Sequence, residues 1–421
     1  MEINSIKLLG LFSSNNKMNF FSNIKILPKD PIIGLTELFV KDTRPNKLNL
    51  GVGVYFDETG KIPLLSSVQK AQHRISKNVK SSSGYLPIDG SAKYCSLVQE
   101  LLFGPNNPLV DQKKIITFQT LGGTGAIKIG AEFLKRIKPN TTIAISNPSW
   151  ENHRSIFESS GLNVTEYPYY DFTNNKLKLS ETLEKFHNLP KNSVVVLHAC
   201  CHNPTGIDPD DSQWLEIINT IKLKEHIPFI DIAYQGFDQD LEFDSRIVRL
   251  FSDAVTPTII ANSFSKNFSL YGERVGALTI KTPSSSESNI VLSHVKKIIR
   301  SSYSNPPTYG QKLVTEILTE NSLKEEWVCE LKLMRDRIIE MRKLLVELLK
   351  NQNLNKDFSF IKKQKGMFSF SGLTSSEVEK LRNSYGVYIL SSGRICIAAI
   401  NKKNISYVAE SISKVIGKKN N

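Results

Sequence analysis

The chain has 421 residues, 40% of them hydrophobic and 23% charged, an ordinary globular composition long enough for two or more packed layers. No apolar run approaches the roughly 18 residues needed for a helix to cross a bilayer, so a helical membrane protein is excluded. The formal charge of +13 raises nucleic acid as a partner. However, the lysines are scattered rather than gathered, and no nucleic-acid-binding signature is present; a solvated surface whose field suits anionic substrates is expected instead.

Residues 1–27, "MEINSIKLLGLFSSNNKMNFFSNIKIL", are poor in acids and rich in Asn, Ser and Lys. The run "IKLLGLF" is too short for a secretory core and is broken by Gly10, and the segment lacks the arginines of a transit peptide. A retained extension on a cytoplasmic protein is expected, with import into an organelle as the alternative. Residues 28–62 are expected to join the second of two domains. From about residue 110 to 280, short β-rich runs alternate with helical patterns. The strands are "KIITFQT", "TTIAISN", "SVVVLHA", "IPFIDIA", "TPTIIANS" and "VGALTI"; the helices are "AIKIGAEFLKRI", "WENHRSIFESSG", "SETLEKFHNL" and "DSQWLEIINTIKLK". This alternation predicts a mostly parallel sheet covered on both faces by helices, with ligands at the carboxyl ends of its strands.

The Ser-rich "KTPSSSESN" (Lys281 to Asn289) reads as a surface loop. Beyond Asn321, "SLKEEWVCELKLMRDRIIEMRKLLVELLKNQ" has the periodicity of one long amphipathic helix. Short strands in "FSFIKKQKGMFSFSGL", "YGVYIL" and "RICIAAI" come next, then a last helix in "ISYVAESISKVI". The fold class is therefore α/β, with a large domain over 63–325 and a smaller α+β domain over 326–421 that 28–62 joins. The five cysteines, Cys95, Cys200, Cys201, Cys329 and Cys396, are sparse and odd in number, which points to a reducing compartment. "HACCH" has no second Cys/His cluster at finger spacing, so buried free thiols rather than a metal are expected.

Chemistry gathers at four strand ends. After the first comes "LGGTGAIKIGAEFL", a glycine turn opening a helix, whose unpaired N–H groups hold a phosphate. It fails the dinucleotide fingerprint, because Lys128 stands at the third glycine position and no acid occurs about 20 residues on. "HNPTG" comes after the third strand. "DIAYQGF" places Asp231 on the next, with Tyr234 three residues on; a buried carboxylate there needs a cation or strong donor opposite. The fifth leads into "NSFSK" and Lys266. Singly, each is an ordinary turn, helix start or surface residue. Together they place a phosphate cradle, an amide, an acid with a phenol and a lysine on one sheet edge. Pyridoxal phosphate calls for that set: a lysine amine for its aldehyde and a carboxylate for its ring nitrogen. An arginine for its phosphate accounts for Arg274 shortly after Lys266.

"NSFSKNFSLYGERVG", "HACCHNPTG", "DIAYQGF", "NPSWENH", "YSNPP", "GYLPIDG" and "KGMFSFSGL" occur in the order seen in the aspartate aminotransferase family, fold-type I pyridoxal phosphate enzymes. The chain resembles that family from about Asp30 to its C-terminus. The resemblance implies that Lys266 is the Schiff-base lysine and proton carrier. It implies that Asp231 pairs with the ring nitrogen, backed by His153, and that Tyr234 and Asn203 donate to the 3′ oxygen. Trp150 would stack on the ring. Gly123, Thr124, Ser263, Ser265 and Arg274 would hold the phosphate, with Tyr85 from the neighbouring subunit of a homodimer. Arg394 would bind the substrate α-carboxylate and Arg300, across the dimer, the side-chain carboxylate; Gly53 would lie against the substrate. Cys396 and Ala399 depart from the Asn and Gly usual in the family.

The reaction implied is transamination between L-aspartate and 2-oxoglutarate. An aromatic or broad-specificity aminotransferase is the nearer alternative. A basic, non-enzymatic nucleic-acid or scaffold protein on a vestigial fold is the other; such a protein need not keep Lys266, Asp231 and Arg394 together.

Overall fold

Runs of Val and Ile without polar alternation build the centre of the molecule, as expected for strands covered on both faces. The computed structural model describes residues 21, 24–27, 30–77 and 84–417. Most of the extension expected over 1–27 therefore lies outside the described residues. The central sheet has seven strands: β1 (Ile115–Leu121), β2 (Thr142–Asn147), β3 (Asn163–Pro168), β4 (Val194–His198), β5 (Ile227–Ile232), β6 (Thr258–Ser263) and β7 (Val275–Lys281). Their spatial order is β1-β7-β6-β5-β4-β2-β3. Only β7 runs antiparallel to its neighbours, β1 and β6; the remaining pairs are parallel. Every residue of β4, β5, β6 and β7 is buried.

Helix α1 (Gly122–Ile137) starts directly at the end of β1, four residues earlier than the periodicity of "AIKIGAEFLKRI" places it. Its Gly130 lies against the sheet so closely that a Cβ would come within 2.8 Å of the Phe229 ring. Helix α2 (Glu151–Ser159) comes after β2, and the expected helices over 180–189 and 211–224 form as Leu179–Asn188 and Asp211–Leu223. Several elements carry no expectation from the sequence. Edge strand β3, "NVTEYP", is mostly half-buried and lacks clean alternation; helix Leu241–Ala254 lies between "DIAYQGF" and β6; helices Ser66–Lys77, Ala92–Phe103, Tyr309–Thr319 and Ser375–Tyr385 are others.

The Ser-rich segment corrects another reading. It is not a loop throughout: helix α3 (Ser285–Ser302) begins inside it, with Ser284 accepting from the Glu287 N–H. Cys200 and Cys201 lie just beyond β4, with Cys201 in the left-handed region at φ 53°.

The long helix α4 (Asn321–Lys350) buries Leu323, Trp327, Leu331, Met334, Ile338, Met341, Leu345 and Leu349 on one stripe, the three-to-four spacing of an amphipathic helix. Around its second half, Leu48–Asn49 pairs in parallel with Val387–Tyr388, and Phe368–Phe370 pairs antiparallel with Arg394–Cys396. The first half of "FSFIKKQKGMFSFSGL" forms a 3-10 turn, Ser359–Lys363, rather than a strand. Trp327 joins α4 to the loop after β6: its Nε1 donates to the Asn267 carbonyl at 2.7 Å, and its ring stacks on Phe268 at 4.2 Å. Among the described residues no helix is long and apolar enough to cross a membrane.

Candidate active site

The loop leaving β6 presents Lys266 because its neighbours have nowhere else to go. Phe264 and Phe268 are fully buried and meet edge to face at 5.4 Å, with Trp327 behind them. This clamp leaves Lys266 lining a cavity, with Nζ 5.3 Å from the centre of the Tyr234 ring. Burial pushes the Lys266 ammonium down to about 8; Arg274 and Arg394 add to this and Asp231 opposes it. An amine so placed is a working nucleophile near neutral pH.

Asp231, on β5, lies beside His198 on β4. Burial by itself would raise its carboxyl, but the hydrogen bond and charge of His153 outweigh burial, and Asp231 is held below the usual carboxylate range. His153 Nε2 is 3.0 Å from Asp231 Oδ2, and its Nδ1 is 2.9 Å from Ser149 Oγ. Helix α2 sets His153 there, with Trp150 capping the same helix and packing edge-on against His153. His198 is pushed down to about 3 by burial and by His153. It stays neutral, so Asp231 keeps its charge with a single imidazole bonded to it. Burial also raises the Tyr234 phenol, which therefore remains a donor.

On the far side of Lys266 the turn from β1 into α1 forms an anion cradle. Gly122 has φ 66°, and a Cβ there would meet Arg274 Nη2 at 2.6 Å; one on Gly123 would meet Ser263 Cβ at 3.0 Å. The start of α1 has no side-chain cap, so its first N–H groups are free for a ligand. Arg274 Nη1 donates to Ser265 Oγ at 3.2 Å, and Thr124 completes the lining.

The third side is Arg394, 1% exposed and stacked over the Phe368 ring at 4.2 Å. Its Nη1 donates to Asn203 Oδ1 at 3.0 Å and its Nη2 to the Gly51 carbonyl at 2.7 Å, while Nε is buried without a partner. A buried guanidinium with neutral acceptors only is incomplete, and a ligand carboxylate would complete it. Gly53 lines the cavity beside it; a Cβ would meet the Phe368 ring at 2.8 Å. Cys396 does not disturb this side. Its side chain packs under Val54, with Sγ 3.6 Å from the carbonyl, and Arg394 still enters the cavity.

Of the residues named from sequence, all but His153, Tyr85 and Arg300 line this one cavity. His153 lies immediately behind it. Tyr85 is 93% exposed and Arg300 is exposed on the last turn of α3, its Nη1 bonded to Ser304 Oγ. The two segments are neighbours, because Asn305 Nδ2 donates to the Leu86 carbonyl at 2.7 Å. Ile32, Ile127, His198, Ala233, Tyr271 and Phe368 also line the cavity and were not named. His198, Tyr271, Ala233, Phe368 and Ile127 stand inside quoted motifs, so a signal existed for them; Ile32 carries no local sign that sets cavity wall apart from core.

A lowered amine, a carboxylate kept ionised and an uncapped helix start with an arginine fit the aldehyde, ring nitrogen and phosphate of pyridoxal phosphate. The glycine cradle leaves room for the phosphate where a side chain would fill it. Chemistry and fold together define an aminotransferase-type enzyme of the pyridoxal phosphate class. The family described as aminotransferase class I and II matches residues 45–412, and the chain belongs to it. An aspartate aminotransferase of Pseudomonas aeruginosa is 50% identical over 399 residues, spanning 95% of this chain and 100% of that protein. The crystal structure of an aromatic-amino-acid aminotransferase from Burkholderia pseudomallei, covalently bound to pyridoxal phosphate, is also 50% identical. It has a TM-score of 0.92 over 95% of this chain and 100% of that one. An aspartate aminotransferase from the cytoplasm of Saccharomyces cerevisiae has a TM-score of 0.93 at 38% identity, over 95% and 99% of the two chains.

Proposed function

We propose that the protein is a pyridoxal-phosphate-dependent aspartate aminotransferase. It moves the amino group of L-aspartate to 2-oxoglutarate in two half-reactions, giving oxaloacetate and L-glutamate. The observation that carries this reading is the shared cavity of Lys266, ionised Asp231 and the incomplete guanidinium of Arg394. When bound, the cofactor supplies a ring that accepts the electron pair released at the substrate Cα. Asp231, held by His153, would keep a proton on the ring nitrogen. Tyr234 and Asn203 would donate to the 3′ oxygen, Trp150 would cover the ring, and the α1 start with Ser263, Ser265 and Arg274 would hold the phosphate. The Lys266 amine would take the proton from the substrate Cα and return it. Arg394 fixes the α-carboxylate, and its planar fork sets the direction of the Cα–H bond.

The second carboxylate is the task of Arg300, working in the other subunit of a homodimer. Support comes from its surroundings: Arg300 and Tyr85, both expected to serve a neighbouring site, lie exposed on two segments joined by the Asn305–Leu86 bond. The division into a large domain over 63–325 and a small one over 28–62 and 326–421 belongs to the same proposal, because it places Lys266 on one side of the cavity and Arg394 with Gly53 on the other. All five cysteines are free, which supports a cytoplasmic setting.

Arg300→Ala is expected to lower kcat/KM for aspartate by about 10²–10³-fold, the cost of losing one buried charge-assisted fork, and to change phenylalanine turnover less than about fivefold. Steady-state rates with both amino acids check this; equal losses would remove Arg300 as the selector. The 50% identity to an aromatic-amino-acid aminotransferase favours a second reading, broad specificity. Parent turnover of tyrosine or phenylalanine equal to that of aspartate would establish it.

The lowered Lys266 amine gives a pH prediction. Only the neutral amine attacks an aldehyde, and its ordinary value is 10.5 against about 8 in the site. Below about 8 the rate at which cofactor-free protein captures pyridoxal phosphate should rise about tenfold per pH unit and level off above it. Mixing experiments monitored in the visible give the profile; a rate still climbing tenfold per unit at pH 9 would contradict it.

A further inference from the structure

One acid beside the cavity has no part in the chemistry above. Glu151 is the first residue of α2, directly after Trp150. An acid at a helix start is unremarkable, since the positive end of the helix favours it. Two observations go further. Glu151 Oε2 is buried and has no hydrogen-bond partner, although the side chain as a whole is 31% exposed. That oxygen lies 4.0 Å from Arg394 Nη1 and, among the described residues, belongs to the only carboxylate within that distance of the guanidinium.

At 4.0 Å the pair is too long for a hydrogen bond, and Nη1 is already engaged by Asn203 Oδ1. The guanidinium is therefore not bonded to that carboxylate, and Arg394 Nε remains unpartnered. A substrate carboxylate arriving at Arg394 must therefore settle beside an existing negative charge in a partly desolvated place, where like charges repel more than they do in water.

We infer that Glu151 is the resident counter-charge of Arg394: it steadies the buried guanidinium when no substrate is present and weakens carboxylate binding, so that products leave. Glu151 is thus a positioning and affinity-setting residue, not a catalytic one, and the inference rests on Arg394 being the carboxylate site proposed above. Because it acts alike on every carboxylate and at every stage, its removal should lower KM for aspartate and for 2-oxoglutarate by similar factors and leave kcat within about twofold.

The test uses the holoenzyme and succinate, a dicarboxylate with no amino or oxo group to react, with binding measured by titration calorimetry. Glu151→Gln and Glu151→Ala are both expected to bind succinate about three- to tenfold more tightly than the parent, with the gain shrinking as salt is raised. Glu151→Asp, which keeps the charge, should stay near the parent. Unchanged or weaker binding in the Gln and Ala variants would overturn the inference. So would tightening in Ala alone, because space rather than charge would then be the cause. A parent holoenzyme that transaminates aspartate while the Gln variant fails to tighten overturns only the role of Glu151. A parent that neither binds succinate nor transaminates aspartate overturns the functional reading beneath it.

Discussion

Lys266→Ala is expected to retain pyridoxal phosphate without a covalent link and to lose at least about 10⁴-fold in kcat. Retention is expected from the structure: the α1 start, Ser263, Ser265, Arg274 and Asp231 remain in place when the lysine side chain is removed. The loss comes from the position of the amine. No other nitrogen basic enough to take the proton stands beside it, since His153 is engaged by Ser149 and Asp231, and His198, pushed down to about 3 by burial and by His153, is too weak a base. A positioned proton carrier contributes about 10²–10⁴-fold, and the lost covalent step adds to that. Single-turnover measurements with aspartate, read against the bound cofactor's absorbance, check the prediction; a loss under tenfold would remove Lys266 from the reaction.

Asp231→Asn should cost between about 10²- and 10⁴-fold in kcat/KM while leaving the fold intact. The amide has the same shape and keeps one acceptor for His153, but it carries no charge to hold a proton on the ring nitrogen. Breaking one side of a buried ion pair costs about 3–5 kcal/mol, and each 1.36 kcal/mol in the barrier is tenfold in rate. In the protein the carboxylate stays ionised against its own burial chiefly because His153 stands 3.0 Å away, with His198 and Lys266 adding to it. His153→Phe should therefore resemble Asp231→Asn in direction with a smaller loss. Stopped-flow half-reactions with aspartate separate the two variants; a parent-like rate in Asp231→Asn would show that ring protonation is not limiting.

Much of this was legible in the sequence because the chemistry sits at strand ends. "SVVVLHA", "IPFIDIA" and "TPTIIANS" announce buried parallel strands, and the residues just beyond them build the site: Asn203, Tyr234 and Lys266. Arg394 and Gly53 could be named only through the resemblance, since nothing local tells a cavity arginine from a surface one. The glycine turn before α1 was weak evidence alone; in three dimensions it gains meaning from Arg274, brought opposite Gly122 because β7 pairs with β1. Ile32 comes from a segment far from the rest of the site in the chain and reads as an ordinary apolar helix residue. Edge strand β3 escaped because its half-buried residues show no alternation of apolar and polar side chains. The start of α3 was missed despite its signal, as Ser284 and Glu287 have the spacing of a helix cap, and the Ser-rich composition hid it.

Glu151 stands within "NPSWENH" with no local sign of a role. Its oxygen becomes informative only when Arg394, more than two hundred residues later in the chain, is seen beside it. Arg300 and Tyr85 mark the opposite case, because their exposure in one chain is accounted for only by the dimer proposed above.

The most direct test of the central claim is the visible absorbance spectrum of the purified protein reconstituted with pyridoxal phosphate, recorded before and after adding L-aspartate alone and then 2-oxoglutarate. The account predicts that aspartate removes the visible band of the bound cofactor and that 2-oxoglutarate restores it. A band indifferent to aspartate, or no band after reconstitution, would contradict it.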